Sequence, residues 1–538
     1  MKELTNNRHP SKLAEKSLEY WAVLRSEVSV VPPDHYFHTW LALTALELGR
    51  KDLGEELLAE FFALEHQGHI EFNKLALLHI VERHELLLPK VLAEQVAAYL
   101  GNGRFSVDFT THTGNNWLFL RMLVHLKLYL CFGHERDMED FRTYCDHVVG
   151  YADGGMFFDY PPLRSVQTMR AFPLTYSFKM LALLMECLNL LQSNQLEPKR
   201  QIILQNLVTE SVPLHLDFIA PDGESLYYGR SDNTLFGYAN VLAVLARLRS
   251  NSRKDRLVAA VHDYIRIHFV TGGILTKATA MSGFRDAYVF DSVYSAYFLG
   301  STLMLEKGCT PLCECPPEAE TTVRQTPIGV LVRSPSVFAF ITASGCSLPM
   351  KGSDFSGYRY TGLSPLKLWR KDLGDARLLD MSRNSLGPLK IEIPLLPLGR
   401  GLGTKKLPLI FEDIHINDNG SECKMQGRAT PVAMISHALW SRILRRICRN
   451  RPNLKRWLLG VPCHGLDITR CVQINYSTGT LSLMDNLPPG RWYYVIPSFW
   501  QSKGDIIRRK TLDADVNRLL SSGGRVILSL GFGSETSD

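Results

Sequence analysis

The sequence predicts a chain of two parts, α then β: helical hairpins from its start to about residue 308 and a β-sandwich from about 327 to its end. Three observations carry this reading. Apolar residues recur at three and four positions from about residue 12 to 306, the spacing that lines one face of a helix. A stretch rich in Pro, Cys and Glu, KGCTPLCECPPEAETTVRQTP, then breaks the pattern and reads as a linker over 309–326. Beyond it the apolar runs shorten, are β-branched or aromatic in content, and are bounded by Gly, Pro or Asp, as strands are. At 538 residues the chain is also too long for one ordinary core.

In order along the chain, helices are expected at about 12–27, 36–49, 52–66, 70–82, 88–100, 115–132, 136–149, 172–193, 198–211, 234–249, 254–269 and 287–305. They arrive as consecutive hairpins of similar size. Such hairpins either stack as an open solenoid or close into an (α/α)6 toroid. Several of their connections are long and rich in Gly, Asp and Tyr, the composition of loops that carry function on a rigid scaffold.

In the second part, IGVLVRS, SVFAFITA, CVQINYS, TLSLMD, RWYYVIP and RVILSLGFG read as strands, and packing them into two layers gives the sandwich. The middle, about 350–410, carries Gly and Pro too often for strands to be placed. One segment breaks the β pattern: ALWSRILRRICRNRPNLKRWLLG, near 436–458, puts Trp440, Ile443, Leu444 and Ile447 on one helical face and Arg442, Arg445, Arg446 and Arg449 on another. A basic amphipathic helix of this kind either presents a solvated face over an apolar contact with the body of the protein or docks peripherally on an anionic glycan or a membrane surface.

Composition narrows the function classes. The chain is 45% hydrophobic and 21% charged, as globular proteins are, with a formal net charge of +6. That balance favours an anionic partner but falls short of a nucleic-acid-binding signature. The N-terminus has no apolar core of signal-peptide length, and the greasiest segment, MLALLMECLNLL, is broken by Glu186 and too short to span a bilayer. Eleven cysteines without regular spacing fit a reducing cytoplasm better than a disulfide framework. Cys309, Cys313 and Cys315 resemble a metal knuckle, but they lack a paired fourth ligand nearby and read more simply as linker cysteines. No cofactor or metal is implied: there is no phosphate-cradling glycine loop and no His pair on one helical face.

Three loops of the helical part concentrate chemistry. In THTGNNWLFLRM, one Asn is explained as a helix cap, but two are not, nor are the neighbouring His112 and Trp117. Asn116 offers an amide to a carboxylate or hydroxyl, and Trp117 an indole to stack on a sugar ring. In YADGGMFFDYPPLRS, Asp153 before two glycines suits a turn. Asp159 and Tyr160 follow two phenylalanines, where a turn is less natural, and two carboxyls in different environments suit acid and base work. In PDGESLYYGRSDNTLFGYAN, Asp222 belongs to a turn, Arg230 can form a fork with a carboxylate, and Asp232 either acts as acid or base or caps the next helix; Tyr228 and Asn233 flank them.

Taken in order, NNW, DGG…FDY and PDG…YGRS resemble a bacterial domain-of-unknown-function family placed with the (α/α)6 toroid and β-sandwich enzymes, which includes exo-acting β-glucuronidases. More distantly the arrangement is similar to the heparinase II/III and chondroitin-type toroidal polysaccharide lyases. The resemblance implies the toroid over residues 1–308, with the cleft in it. It implies that Asn116 and Arg230 bind a uronate carboxylate. Where a DGSF…H lyase motif would place its His, this chain has Asp159, which favours hydrolysis over β-elimination because a carboxyl can protonate a glycosidic oxygen or activate water. The sequence departs from the hydrolase-like family after GRS, where it reads DNTLFGYANV, and after FDY, where it continues PPLRS.

The expectation is thus a glycoside hydrolase acting on an acidic, uronic-acid-containing oligosaccharide or polysaccharide. Asp159 and Asp232 would form its catalytic pair with help from Tyr160 and Tyr228. His112, Asn116, Trp117, Asp153, Arg230 and Asn233 would bind substrate. A β-eliminating lyase and a non-catalytic glycan-binding or assembly protein are the alternatives.

Overall fold

The structure is a computed structural model and describes residues 10–27, 31, 35–102, 115–159, 173–228, 234–276, 291–306, 308–318, 320–342, 363, 365–371, 389–391, 405–407, 409–433, 461–462, 468–479, 481–487, 492–494 and 524–530. The chain divides into two units, Met1–Pro317 and Glu318–Asp538.

Among its described residues the first unit holds twelve α-helices: α1 Pro10–Val23, α2 Phe37–Glu47, α3 Lys51–Ala63, α4 Ile70–His84, α5 Lys90–Gly101, α6 Asn115–Phe132, α7 Glu135–Val148, α8 Leu174–Ser193, α9 Pro198–Asp217, α10 Leu235–Ala246, α11 Ser252–Phe269 and α12 Asp291–Glu306. The even-numbered helices pack in cyclic order, each against the next, and α12 returns to α2. The odd-numbered helices lie outside: α3 on α2, α5 on α4, α7 on α6, α9 on α8, α11 on α10, and α1 on α2 and α12. The hairpins therefore close as a toroid.

Residue pattern decides which helix lies in which layer. Every residue of α2, FHTWLALTALE, is buried, as expected of a helix covered on all sides. The outer α7 instead buries a stripe, Asp137, Met138, Phe141, Tyr144, Cys145 and Val148, and leaves its other face polar. Among the described residues, α8 is the one helix of membrane-spanning length and hydropathy, and 78% of its apolar stretch is buried within the protein. Its greasiness is that of an inner-ring helix. At the closure, a Cβ on Gly300 of α12 would lie 3.0 Å from the Trp40 ring and 3.1 Å from the Trp40 carbonyl oxygen. Glycine there lets α12 approach the backbone of α2.

Polar side chains in the later turns of the inner helices tie four of them together. Lys127 of α6 lies 2.8 Å from Glu82 of α4 and 3.0 Å from Glu186 of α8, and Arg247 after α10 lies 3.3 Å from Glu186. Burial pushes the Glu82 carboxyl up, but Lys127 beside it holds it down at about 2. Among its described residues the unit also holds two short hairpins: β1 Ala152–Asp153 with β2 Met156–Phe157, and β3 Val270–Thr271 with β4 Ile274–Leu275.

The described strands of the second unit pair antiparallel. β5 Thr322–Gln325, β6 Gly329–Arg333, β7 Val337–Thr342 and β8 Pro365–Arg370 form a four-stranded sheet in that order. β9 Leu389–Ile391 lies between β10 Lys405–Leu407 and β16 Trp492–Tyr494. The largest sheet runs β11 Leu409–Asp418, β12 Glu422–Ala433, β14 Ile468–Asn475, β15 Leu481–Leu487 and β17 Gly524–Leu530, with β13 Val461–Pro462 paired to β12. β6 and β7 are buried at every residue, as strands covered on both faces are. The basic helix expected near 436–458 lies outside the described residues.

Two expectations are adjusted. α9 continues to Asp217, six residues past its expected end at 211, because Pro213 removes one backbone donor without stopping the helix. The long β11–β12 hairpin was not foreseen as a pair of strands. Its turn is nevertheless written in the sequence: Gly420 has φ +81°, and Asn419 Oδ1 accepts from Ser421 N at 3.0 Å and Glu422 N at 2.9 Å.

Candidate functional site

The inner helices of the toroid each carry an aromatic residue at or near their start: Tyr36 before α2, Phe72 on α4, Trp117 on α6, Tyr176 on α8, Phe236 on α10 and Tyr294 on α12. Ring closure joins them into one cluster. Tyr36 stacks on Phe72 at 4.4 Å, Phe72 meets Trp117 at 5.2 Å and Phe236 at 5.9 Å, and Phe236 meets Tyr176 at 6.3 Å and Tyr294 at 5.5 Å. Tyr36, Phe72 and Phe236 are buried and form a floor; Trp117, Tyr176 and Tyr294 are half-buried. Helix starts also carry the positive end of the backbone dipole, so this end of the ring favours negative charge.

Beside this floor lies a line of three buried polar side chains. Lys179 Nζ donates to Asn116 Oδ1 at 3.0 Å, and Asn116 Nδ2 donates to Asp159 Oδ1 at 2.5 Å. All three are essentially without solvent exposure. The lysine ammonium also lies over the Phe72 ring at 4.2 Å, with Phe236 at 5.4 Å and Trp117 at 5.6 Å.

Local structure explains how Asp159 reaches this point. Asp153-Gly154-Gly155 makes the turn of the β1–β2 hairpin, with φ +55° and +78° at the two glycines, the positive values that a two-residue hairpin turn requires. Phe157 N then donates to Ser177 Oγ of α8 at 3.1 Å, and Ser177 Oγ lies 2.9 Å from His215 Nε2 of α9. The other ring nitrogen, Nδ1, lies 2.8 Å from the Ser211 carbonyl oxygen, so it carries the proton and Nε2 is left to accept from the serine hydroxyl. Burial pushes the His215 pKa down to about 4. The hairpin is thus pinned to α8 two residues before Asp159.

The residues expected from sequence fall into three groups. Asn116 and Asp159 are brought together, although they are 43 positions apart. Asp153 is at the hairpin corner, in the turn role its glycines imply. Tyr228 is buried, and its carbonyl oxygen accepts from Leu174 N at 3.0 Å, which ties the PDGESLYY loop to the start of α8. Within that loop Asp222 does turn work, accepting from Glu224 N at 3.1 Å, and Tyr227 donates to the Phe218 carbonyl at 3.1 Å. His112, Tyr160, Arg230, Asp232 and Asn233 lie outside the described residues.

Trp117 differs from expectation in one respect. Its indole stacks on His69 at 5.5 Å with 18° between planes, and His69 in turn stacks on His35 at 4.5 Å. A sugar would have to displace the imidazole to reach that face. His69 has φ +50° directly before α4, a backbone conformation few non-glycine residues adopt.

Sequence reading missed Lys179, Phe72, Phe236, His35 and His69. Lys179 sits inside an apolar helical run, where it reads as an outward-facing charge. The signal that could have found the collar is positional: an aromatic at or close to the start of every second helix.

A second cluster lies elsewhere, where His125 Nδ1 of α6 approaches Asp137 Oδ1 of α7 at 3.0 Å and Asp140 Oδ2 at 3.9 Å. The imidazole–carboxylate bond accounts for the close contact without a metal. Near the linker, the Leu312 amide donates to the Arg247 carbonyl at 2.7 Å and Arg249 N donates to the Cys313 carbonyl at 2.9 Å, so the Cys309–Cys315 segment runs beside the end of α10.

No protein-family model matches the chain, and no curated protein matches it. Among solved structures it is similar to the chondroitin AC lyase of Streptomyces coelicolor A3 in complex with chondroitin sulphate, at 12% identity over 92% of this chain and 70% of that one, with a TM-score of 0.50. It is also similar to a glycosyl hydrolase family 88 protein from Bacteroides vulgatus, at 12% identity over 55% of this chain and 99% of that one, with a TM-score of 0.40. An alpha-1,6-mannanase, GH76A of Salegentibacter sp. HEL1_6, matches at 10% identity over 55% of this chain and 99% of that one, with a TM-score of 0.40. At such identities the likeness is one of fold. The chain has an (α/α) toroid, as the three loop motifs led one to expect, and shares that fold with the chondroitin AC lyase.

Proposed function

We propose that this chain is a glycoside hydrolase for acidic, uronic-acid-containing glycans, with Asp159 as a catalytic carboxyl and Asp232 as its partner. The observation that carries the reading is the meeting of Asp159 and Asn116 beside an aromatic collar to which all six inner helices contribute. A buried carboxylate held by an amide is suited to proton transfer in a low-dielectric setting, and half-buried aromatic rings suit the apolar faces of sugars. The positive ends of the inner helices favour an anionic substrate. Arg230 would fork onto the uronate carboxylate, Tyr160 and Tyr228 would assist, and a sugar would enter past Trp117, Tyr176 and His69 to uncover Asp159. In the second unit, the fully buried β6 and β7 and the one-sided burial of β12 and β14 support two packed sheets, a β-sandwich.

The test is incubation with oligosaccharides ending in glucuronate or galacturonate, followed by product analysis. Hydrolysis gives a new reducing end and no near-ultraviolet absorbance, and Asp159→Asn abolishes it. An unsaturated product absorbing in the near ultraviolet would replace hydrolysis by β-elimination. Undiminished turnover in Asp159→Asn would remove the catalytic assignment, and saturable glycan binding without any product would favour a binding protein.

A further inference from the structure

An asparagine amide has two unlike ends, and its neighbours decide which way it points. Lys179 Nζ carries donors and no acceptor, so the Asn116 atom 3.0 Å from it is Oδ1. The amide nitrogen is thereby turned to Asp159 and donates to the carboxylate at 2.5 Å. Turned over, the amide oxygen would face a carboxylate oxygen and its NH2 group would face an ammonium, and both contacts would repel. One cation sets the direction of both hydrogen bonds.

That cation is costly to keep. Lys179 is fully buried, and an ammonium removed from water loses hydration, toward whose replacement the rings of Phe72, Phe236 and Trp117 and the Asn116 oxygen contribute. A methionine would fill similar space without the desolvation cost. Packing alone does not call for a charge at this point in α8, and orientation of Asn116 is a use for one.

We infer that Lys179 is a positioning residue: acting through Asn116, it holds the Asp159 carboxylate in place, and the three side chains work as one unit. The inference rests on the proposed catalytic role of Asp159, and it adds a residue that does not itself touch substrate. Loss of the ammonium removes the contact that directs Asn116, and with it the fixed direction of the amide's bond to Asp159.

The test uses the full chain with Lys179→Met, Lys179→Arg, Asp159→Asn and the Lys179→Met/Asp159→Asn double variant. On a glycan that the wild type cleaves, Lys179→Met lowers kcat by at least about tenfold and leaves KM within about twofold, because a misplaced group costs rate and a buried one contributes no substrate contact. Lys179→Arg, which also only donates, recovers part of the rate. Full activity in Lys179→Met, or a raised KM at unchanged kcat, overturns the inference. Thermal unfolding needs no substrate: the double variant is more stable than the two single effects, added, would make it, and strict additivity overturns the coupling. If Lys179→Met does not fold, Lys179→Gln takes its place in both measurements. A wild type that cleaves no glycan defeats the proposed hydrolase, while the unfolding cycle still decides whether Lys179 and Asp159 are coupled.

Discussion

His215 makes the helical unit sensitive to acid in a defined window. In the folded chain its imidazole is fully buried between α8 and α9 and, because of that burial, stays neutral down to about pH 4; in the unfolded chain it takes up a proton near its ordinary value of 6.5. A group whose folded pKa is depressed contributes its stability above the unfolded value and loses it as pH falls toward the folded one. From 6.5 to about 4 the loss attributable to this one side chain approaches about 3 kcal/mol. Protonating Nε2 also removes the acceptor used by the Ser177 hydroxyl, whose oxygen anchors Phe157 N. The assay is urea unfolding followed by far-ultraviolet circular dichroism, at several pH values between 7.5 and 4, on the wild type and His215→Gln. The variant is less stable at pH 7.5 because a buried hydrogen-bond pair is disturbed, and its stability falls less steeply with acid. The difference between the two curves should change with the slope of one proton between about pH 6.5 and 4. Parallel curves would refute the reasoning, because they would mean that His215 takes up its proton equally in both states.

Three further perturbations follow from the packing. Gly223→Ala sets a Cβ 2.1 Å from the Ala260 carbonyl oxygen at a φ of +88°, and should lower stability in chemical denaturation by about 3 kcal/mol or more. Lys127→Met leaves Glu82 and Glu186 without the ammonium between them, so a loss of about 3 kcal/mol or more is expected, and adding Glu186→Gln should restore part of it. Asn251→Ala removes the cap that accepts from Lys254 N at 2.9 Å at the start of α11, with an expected cost of about 1 kcal/mol read as a lowered melting temperature.

The helices were legible because each has a strong local signature: α2 and α10 are dominated by apolar residues, and α7 and α11 are striped. Ring closure is not local. It depends on contacts between the first and last hairpins, and the choice between solenoid and toroid came from loop motifs, not from periodicity. β11 and β12 were passed over because their buried face is chemically mild, with Cys423, Met425 and Gly427 inward and Lys424, Gln426 and Arg428 outward. In the site, Asn116 and Asp159 were legible as polar residues with no full structural reason to be where they are. Lys179 was not, because its meaning depends on the rotational phase of α8 relative to α6, which only the assembled ring fixes.

The closure of that ring also sets an order of events during synthesis. Trp21 Nε1 of α1 donates to the Leu275 carbonyl, a contact spanning 254 residues, and Gly300 lies against Trp40 still later in the chain. At ribosomal speeds of about 5–20 residues per second, α2 waits roughly 10 to 50 seconds for α12. Throughout that interval the apolar flank of α2 has no α12 to cover it, and α10, made only from Leu235 onward, shares the last part of the wait. A nascent chain stalled before residue 291 should therefore attract chaperones and proteases, and one released after residue 306 should escape them.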